Sequence, residues 1–360
     1  MRLDRIELED FRSYGRAAFE FSPGVNVITG PNARGKTNLL ESIYILTGAR
    51  SFRARSDREL IRFGAESALV RAELFSRGRA QRIELLLRLG CSRRSRRNGA
   101  AVRSAELAET ASAVLFCPDD LDIVRAGAAE RRKFLDGAVC QLRPKYAGLL
   151  SRYSRLLDQK GAALRGGAEK PSLLLPLAEY SDAMAALSAQ LIRYRAAFVR
   201  RLEERARAIH ADFSGCGEEL SLRYVTVSTV TDPLAPAQEI YAQVLSHQRA
   251  HERAELESRS CLTGVHKDEL EIMINGVPAR QFASQGQART AALSLKMAER
   301  LILLDDMGEA PLLLLDDVLS ELDARRQEFV LNSIGGGQTF ITCCEDAGIA
   351  SRTGGRVITI

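Results

Sequence analysis

Residues 30–37 read Gly30-Pro31-Asn32-Ala33-Arg34-Gly35-Lys36-Thr37 and fill the pattern G-x-x-x-x-G-K-[ST]. No other feature restricts the fold as much. The pattern makes a phosphate cradle only when a strand runs into it and a helix runs out of it. Both flanks qualify. Val25, Val27 and Ile28 form an apolar run of strand character, and Leu39, Ile43 and Leu46 recur at three and four residues, as on one face of a helix. Glycines let backbone N–H groups approach phosphate oxygens closely. Lys36 is placed to reach the β and γ oxygens, Thr37 offers a hydroxyl to magnesium, and the helix that starts near residue 36 turns its positive end toward the anion.

A chain of 360 residues, 46% of them hydrophobic, is long enough for roughly two domains or for one domain with an insertion. Charge is close to balanced, 51 basic against 46 acidic residues, so the net +5 excludes little and local clusters decide more. The seven cysteines (Cys91, Cys117, Cys140, Cys216, Cys261, Cys343 and Cys344) contain no C-x-x-C. They signal neither a zinc site nor a disulfide framework and fit a reduced, cytoplasmic setting. No signal sequence opens the chain and no run of about 18 apolar residues occurs, so no membrane span is expected.

Residues 1–30 read as strands, with the Ser22-Pro23-Gly24 turn leading into the strand before the loop. Strand character returns over 68–104, where Ile83, Leu85, Leu87 and Leu89 keep period two and Asn98-Gly99 marks a hairpin turn. From Pro118 to about residue 215 the pattern is helical. Tyr146, Leu149, Tyr153 and Leu156 are followed, after a Gly166-Gly167 and Pro171 break, by Leu177, Tyr180, Met184, Leu187, Leu191, Tyr194 and Phe198. This alternation predicts an antiparallel helical hairpin packed as a compact lobe, its second helix roughly 50 Å long. Leu220–Val230 alternates like a strand, Ala237–Glu257 reads as a charged helix, and Glu269–Asn275 as a strand before the Asn275-Gly276 turn. The expected organisation is therefore a mixed α/β unit over 1–117, a helical lobe over 118–258 and a return to the first unit over 259–360. His210, His247 and His251 fall in helical text as expected surface groups, and Glu130-Arg131-Arg132-Lys133 is either a solvated face or an interface.

Leu312-Leu313-Leu314-Leu315-Asp316-Asp317 has the form of a buried parallel strand whose C-terminal end reaches the nucleotide. Asp316 would hold magnesium and Asp317 would polarise an attacking water. Ser320-Glu321-Leu322-Asp323 follows, and Thr342 ends a further strand within reach of a γ-phosphate. Ser284-Gln285-Gly286-Gln287 opens a helix, which makes a second anion-binding end. One account of a second such end is that it serves the nucleotide of another copy of the chain.

Taken together these motifs resemble the ABC-type ATPase heads of the SMC and RecF families. Ser284–Gln287 looks like the signature motif and Ser320–Asp323 like the D-loop. Phe11-Arg12-Ser13-Tyr14 is shared by both families, while Ala33 and the segment Phe282–Ala292 favour RecF. Phe116–Leu121, Arg131–Asp136 and Leu312–Asp323 are also close to the RecF form. Arg34 stands where that family often has glutamine, Gly264–Leu270 only approximates its Gly-Pro-His-Arg-Asp-Asp-Leu, and no Q-loop glutamine is found; Asp119 or Asp120 occupies about that place. The resemblance implies an ABC-type P-loop head interrupted by a mostly helical lobe, and a weak, DNA-stimulated ATPase using ATP and Mg2+. It implies nucleotide contacts from Arg12, Gly30–Asn38, Ser284–Gln287, Asp323 and Thr342, with Lys36, Asp316 and Asp317 in catalysis and Thr37 and Asp316 on the metal. It further implies a homodimer closed by ATP, with Lys36 of one copy and Ser284 of the other on the same nucleotide. The implied partners are double-stranded and gapped DNA and, with RecO and RecR, the loading of RecA onto single strands, in a nucleoid-associated cytoplasmic setting. An SMC-like chromosome organiser is the alternative, against which the short arm argues, as is a non-hydrolysing ATP-gated scaffold.

Nine arginines lie between Arg77 and Arg103, four of them, Arg93, Arg94, Arg96 and Arg97, beside the Asn98-Gly99 turn. Such a hairpin could set guanidinium groups on backbone phosphates without reading sequence. Reversing all four charges is expected to weaken DNA binding and spare ATP binding.

Overall fold

The computed structural model describes residues 1–344 and 348–360. The chain divides into two compact units, Met1–Leu121 with Ala292–Ile360 and Asp122–Ala291. In chain order the first unit supplies β1 (Arg2–Phe11), β2 (Tyr14–Glu20), β3 (Val25–Thr29), α1 (Lys36–Tyr44), β4 (Ser67–Ser76), β5 (Arg79–Arg88), β6 (Arg94–Arg97), β7 (Ala100–Val102) and β8 (Ala113–Phe116). The second unit supplies α2 (Asp122–Arg125), α3 (Ala128–Leu142), α4 (Pro144–Gly166), α5 (Leu177–Ser214), β9 (Leu220–Val225), α6 (Ala237–Ser258), β10 (Glu269–Ile274), β11 (Val277–Pro278) and α7 (Ala279–Phe282). Helix α8 (Gln285–Met307) carries the chain back to the first unit, which ends with β12 (Leu312–Asp316), α9 (Ala324–Ser333), β13 (Thr339–Cys343), α10 (Ile349–Thr353) and β14 (Arg356–Thr359).

Two sheets share the core of the first unit. One is antiparallel, in the order β2-β1-β4-β5-β6-β7; the other, β14-β3-β13-β12-β8, is parallel at every pairing. Sequence pattern explains the division. In β5 the period-two residues Ile83, Leu85 and Leu87 are buried, whereas β12 is buried at all five positions, as a strand covered on both faces must be. Ile6, Leu8, Val70 and Leu85 of the antiparallel sheet join Ile28, Leu314 and Phe340 of the parallel one in a single apolar cluster. The Gln338 side-chain amide ties the layers together: it accepts from Leu3 N at 2.7 Å and donates to Leu3 O at 2.8 Å and Ser22 O at 2.7 Å. Asn98 and Gly99 both take positive φ, 52° and 82°, the geometry of the expected two-residue hairpin.

In the second unit α4 and α5 pack antiparallel, with Tyr146 against Tyr194 toward one end and Leu164 against Leu177 at the other. At 38 residues α5 is about 57 Å long. Its core partner is polar as well as apolar. Buried Arg195 donates to both carboxylate oxygens of Asp136 at 2.9 Å, to Asp268 at 2.8 Å and to the Val265 carbonyl at 2.7 Å. Asp268 also accepts from Tyr224 and Thr226.

Several sequence expectations change here. The lobe does not end at 258. Strand β10 pairs with β9 from Glu269↔Val225 to Ile274↔Leu220, which places residues up to 291 in the second unit. Strand β9 stops at Val225 rather than Val230. His210 is fully buried: Leu202, Ala206, His210 and Phe213 form one covered face of α5, and the ring meets Glu218 at 3.2 Å. Arg131 is no solvated charge either, since its fork grips Glu269 at 2.6 and 2.7 Å. His266 and Asp268, in the segment that only approximates the RecF form, bond to Tyr153 and Arg195 within the second unit.

Candidate nucleotide site

Because β3, β12 and β13 run parallel, their C-terminal ends reach the same sheet edge, where ligands of open α/β sheets bind. The loop after β3 bends sharply. Gly30 has φ 151°, and a Cβ there would stand 2.6 Å from the Ile360 carbonyl; Gly35 has φ 112°, and its Cβ would stand 2.9 Å from the hydroxyls of Ser13 and Tyr14. Between them Pro31, Asn32, Ala33 and Arg34 are exposed. Lys36 begins α1 and is buried, its ammonium donating to the carbonyls of Gly30 at 2.6 Å and Pro31 at 3.1 Å.

The two halves of the expected metal site meet across 279 residues of sequence: Thr37 Oγ1 donates to Asp316 Oδ1 at 2.9 Å. Burial raises the Asp316 carboxyl pKa above its ordinary value, and hydrogen bonds from Thr37 and Thr342 and the charge of Arg53 only partly offset this. A hydroxyl and a carboxylate oxygen beside the N-terminus of a nine-residue helix are hard donors of the kind Mg2+ takes, and the cradle before them suits a polyphosphate.

The 12–14 turn is fastened to this loop. Tyr14 donates to the Gly35 carbonyl at 3.0 Å, and the Asn38 amide donates to Ser13 at 2.9 Å. Arg12, at φ 53°, points its guanidinium to Glu41 on α1, and that carboxylate raises the Arg12 pKa. Sequence reasoning missed Glu41 and Arg53. A single acid inside the apolar run Leu39–Ile43 and the arginine-rich stretch after Gly48 were the available signals.

Thr342 lies at the end of β13, beside the acidic strand end. Its hydroxyl is buried, donates to Asp316 Oδ1 at 2.9 Å and accepts from Asp317 N at 2.9 Å, which orients the two aspartates. Asp317 is exposed and left-handed at φ 55°, a conformation that is uncommon outside glycine and gathers at functional sites. Asp323 caps α9 by accepting from Arg326 N at 2.9 Å. Ser284 caps α8 in a reciprocal box: Gln287 N donates to Ser284 Oγ at 3.2 Å, and Ser284 N donates to Gln287 Oε1 at 2.8 Å. Gln285, beside it, is exposed, and the Gln287 amide reaches Glu218 at 2.9 Å. Of the two candidates at the Q-loop position, Asp120 turns inward, accepting from Cys117 N at 2.7 Å beside Lys296, and Asp119 stays exposed.

The four hairpin arginines separate by strand alternation. Arg93 is taken up by Asp57, at 3.1 and 2.6 Å, and by the Ala49 carbonyl. Arg97 meets Thr110 and Glu109. Arg94 and Arg96, two apart on β6, share the exposed face.

The profile of the RecF/RecN/SMC N terminal domain matches residues 2–351. A protein of Lactobacillus johnsonii called DNA replication and repair protein RecF is 38% identical over 355 residues, 97% of this chain and 94% of that one. Its namesake from Synechococcus sp. (strain JA-3-3Ab) is 40% identical over 336 residues, covering 93% and 88%. Among solved structures, the recombination mediator protein RecF-ATPrS in the RecFOR pathway superposes with a TM-score of 0.92 at 31% identity, covering 99% of this chain and 95% of that one. The Smc head domain of Pyrococcus furiosus, at 16% identity and a TM-score of 0.56, shares the fold. Fold and site together define a P-loop ATPase head of the ABC type. Within that class, the chain belongs to the RecF family. No helix among the described residues is long and apolar enough to cross a membrane.

Proposed function

We propose that this chain is an ATP-switched DNA-repair protein that hydrolyses ATP slowly and closes into a dimer around it. The observation that carries this reading is the Thr37–Asp316 contact, which brings the phosphate loop and the acidic strand end to one point. Lys36 would neutralise the β and γ oxygens as its ammonium leaves its own loop carbonyls for the nucleotide. Thr37 and Asp316 would hold Mg2+, which when bound supplies charge neutralisation between the phosphates. Thr342 keeps Asp316 and Asp317 in register, and Asp317 would orient the attacking water from its exposed, left-handed position. The cap at Ser284 would meet the γ-phosphate of the partner copy's nucleotide, so that two positive helix ends share one anion and separate after hydrolysis. Relatives carrying the words RecF, DNA repair and RecFOR support DNA as the template and RecR, with RecO, as partners; loading of RecA is what the family resemblance adds.

Sedimentation with and without Mg-ATP and gapped DNA tests the reading. The wild type is expected to dimerise with ATP, and Lys36→Arg and Ser284→Arg to remain monomeric. ATP binding without any change of mass would favour the scaffold alternative, and no ATP binding at all would remove the proposal.

A further inference from the structure

Three segments distant in sequence converge on one carboxylate. Glu41 lies one helical turn beyond Thr37 on α1 and is 0% exposed. Its Oε2 accepts from Arg12 Nε and its Oε1 from Arg12 Nη2, both at 2.8 Å. Oε1 also accepts from the Ser51 hydroxyl. Ser51 in turn accepts from the backbone N–H groups of Arg53 at 2.9 Å and Ala54 at 2.7 Å, and so shapes the loop that follows it. Helix packing does not require any of this. Leu39, Leu40 and Ile43 already bury the apolar face of α1. An ionised side chain with no exposure is costly unless its bonds serve some end.

We infer that Glu41 is a positioning residue for nucleotide turnover: it fixes the Arg12 turn and the Ser51–Ala54 loop to the helix that carries Lys36 and Thr37, so that the Arg12 guanidinium is held on that helix. The inference rests on the ATPase reading above. The geometry of Arg12 supports it, since its backbone is held left-handed and the next two residues are bonded to Asn38 and Gly35. The carboxylate fixes the side chain where those contacts fix only the turn. Bidentate pairing gives direction as well as attraction, and neither glutamine nor aspartate reproduces it at this distance.

The test compares Glu41→Gln, Ser51→Ala, Arg12→Gln and the double variant Arg12→Gln/Glu41→Gln with wild type, in steady-state Mg-ATP hydrolysis with thermal melting alongside. Glu41→Gln is expected to lower kcat about tenfold with KM changed less than about threefold, because misplacement of a charged group weakens transition-state contacts more than ground-state ones. In the Arg12→Gln background the same change is expected to cost less than about twofold more, since a residue acting through Arg12 has nothing left to position. Ser51→Ala leaves the ion pair intact and should lower kcat by less than Glu41→Gln. Equal kcat for wild type and Glu41→Gln overturns the inference while leaving the ATPase reading standing. So does an undiminished effect of Glu41→Gln in the Arg12→Gln background. If Glu41→Gln does not fold, Arg12→Gln decides from the other side of the pair: a tenfold loss supports the inference and an unchanged kcat overturns it. Absence of Mg-dependent hydrolysis in the wild type overturns the ATPase reading, and this inference with it.

Discussion

The chain buries charge in two places and settles the cost differently in each. Arg195, in the second unit, is 2% exposed and bonds to two carboxylates, a tyrosine oxygen and a carbonyl. In the first unit Lys36 and Asp316 are 8% and 6% exposed, yet among the described residues the lysine bonds only to carbonyls and the aspartate only to hydroxyls. Desolvating an ion costs several kcal/mol in either place. Arg195 recovers that cost within the protein, and its cluster acts as structure. Lys36 and Asp316 have neutral dipoles for hydrogen-bond partners, which hold their positions and leave their charge for a ligand of opposite sign.

The largest effect expected from this contrast is on Arg195→Met. Removing the guanidinium leaves the buried Asp268 and the partly buried Asp136 with their charge uncompensated, and should cost about 3–5 kcal/mol of folding stability. Urea unfolding measures it. A loss under about 1 kcal/mol would show that the cluster is not the structural half of the comparison.

Asp316→Asn should move stability the other way. Burial raises the Asp316 carboxyl pKa, so the folded chain holds that proton more tightly than the unfolded chain does. The native state is therefore relatively most stable below the unfolded pKa of about 3.9, and stability falls as pH rises through the folded pKa. The full penalty is present at neutral pH. In the absence of nucleotide and magnesium, Asp316→Asn should gain about 1 kcal/mol at pH 7 and nothing in acid, while losing the stabilisation that Mg-ATP gives the wild type. Melting curves at pH 3 and pH 7, with and without Mg-ATP, check the sign. Destabilisation at pH 7 without ligand would mean that Asp316 is paired after all.

How much of this could be read in the sequence depended on where each partner lay. The phosphate loop was legible because all its parts fall within eight residues, and the acidic strand because four leucines before two aspartates announce a covered parallel strand. The antiparallel helices were legible from periodicity, confirmed by the buried positions of Tyr146, Tyr153, Met184 and Leu191. The Arg195 cluster was not, since it joins positions 136, 146, 195, 224 and 268, and no local pattern shows that they meet. The end of the lobe was missed for the same reason: the pairing of β10 with β9 is a non-local fact. Burial of His210 could have been inferred, because Leu202, Ala206 and Phe213 share its helical face.

The hairpin arginines carry the smallest expected effect and sharpen the comparison at the surface. Arg93 resembles Arg195 on a lesser scale, with a 7% exposed side chain paired to Asp57, while Arg94 and Arg96 have no ion-pair partner among the described residues. Period two on β6 puts Arg94 and Arg96 outward, and turns Ser95 inward to Ser104. Arg94→Gln/Arg96→Gln should change stability by no more than about 0.5 kcal/mol. If these two side chains touch DNA phosphates, the slope of log affinity against log salt should fall by about 2, with ATP binding unchanged. Glutamine is preferable to glutamate here because Arg96 lies opposite Glu84, and a second acid would add cross-strand repulsion unrelated to DNA. Arg93→Gln makes the contrast: it should cost about 1–3 kcal/mol of stability through the lost charged hydrogen bonds and leave the salt slope where it was. A reversal of these two outcomes, with Arg93 governing the slope and Arg94 and Arg96 governing stability, would place the DNA on the opposite face of the hairpin.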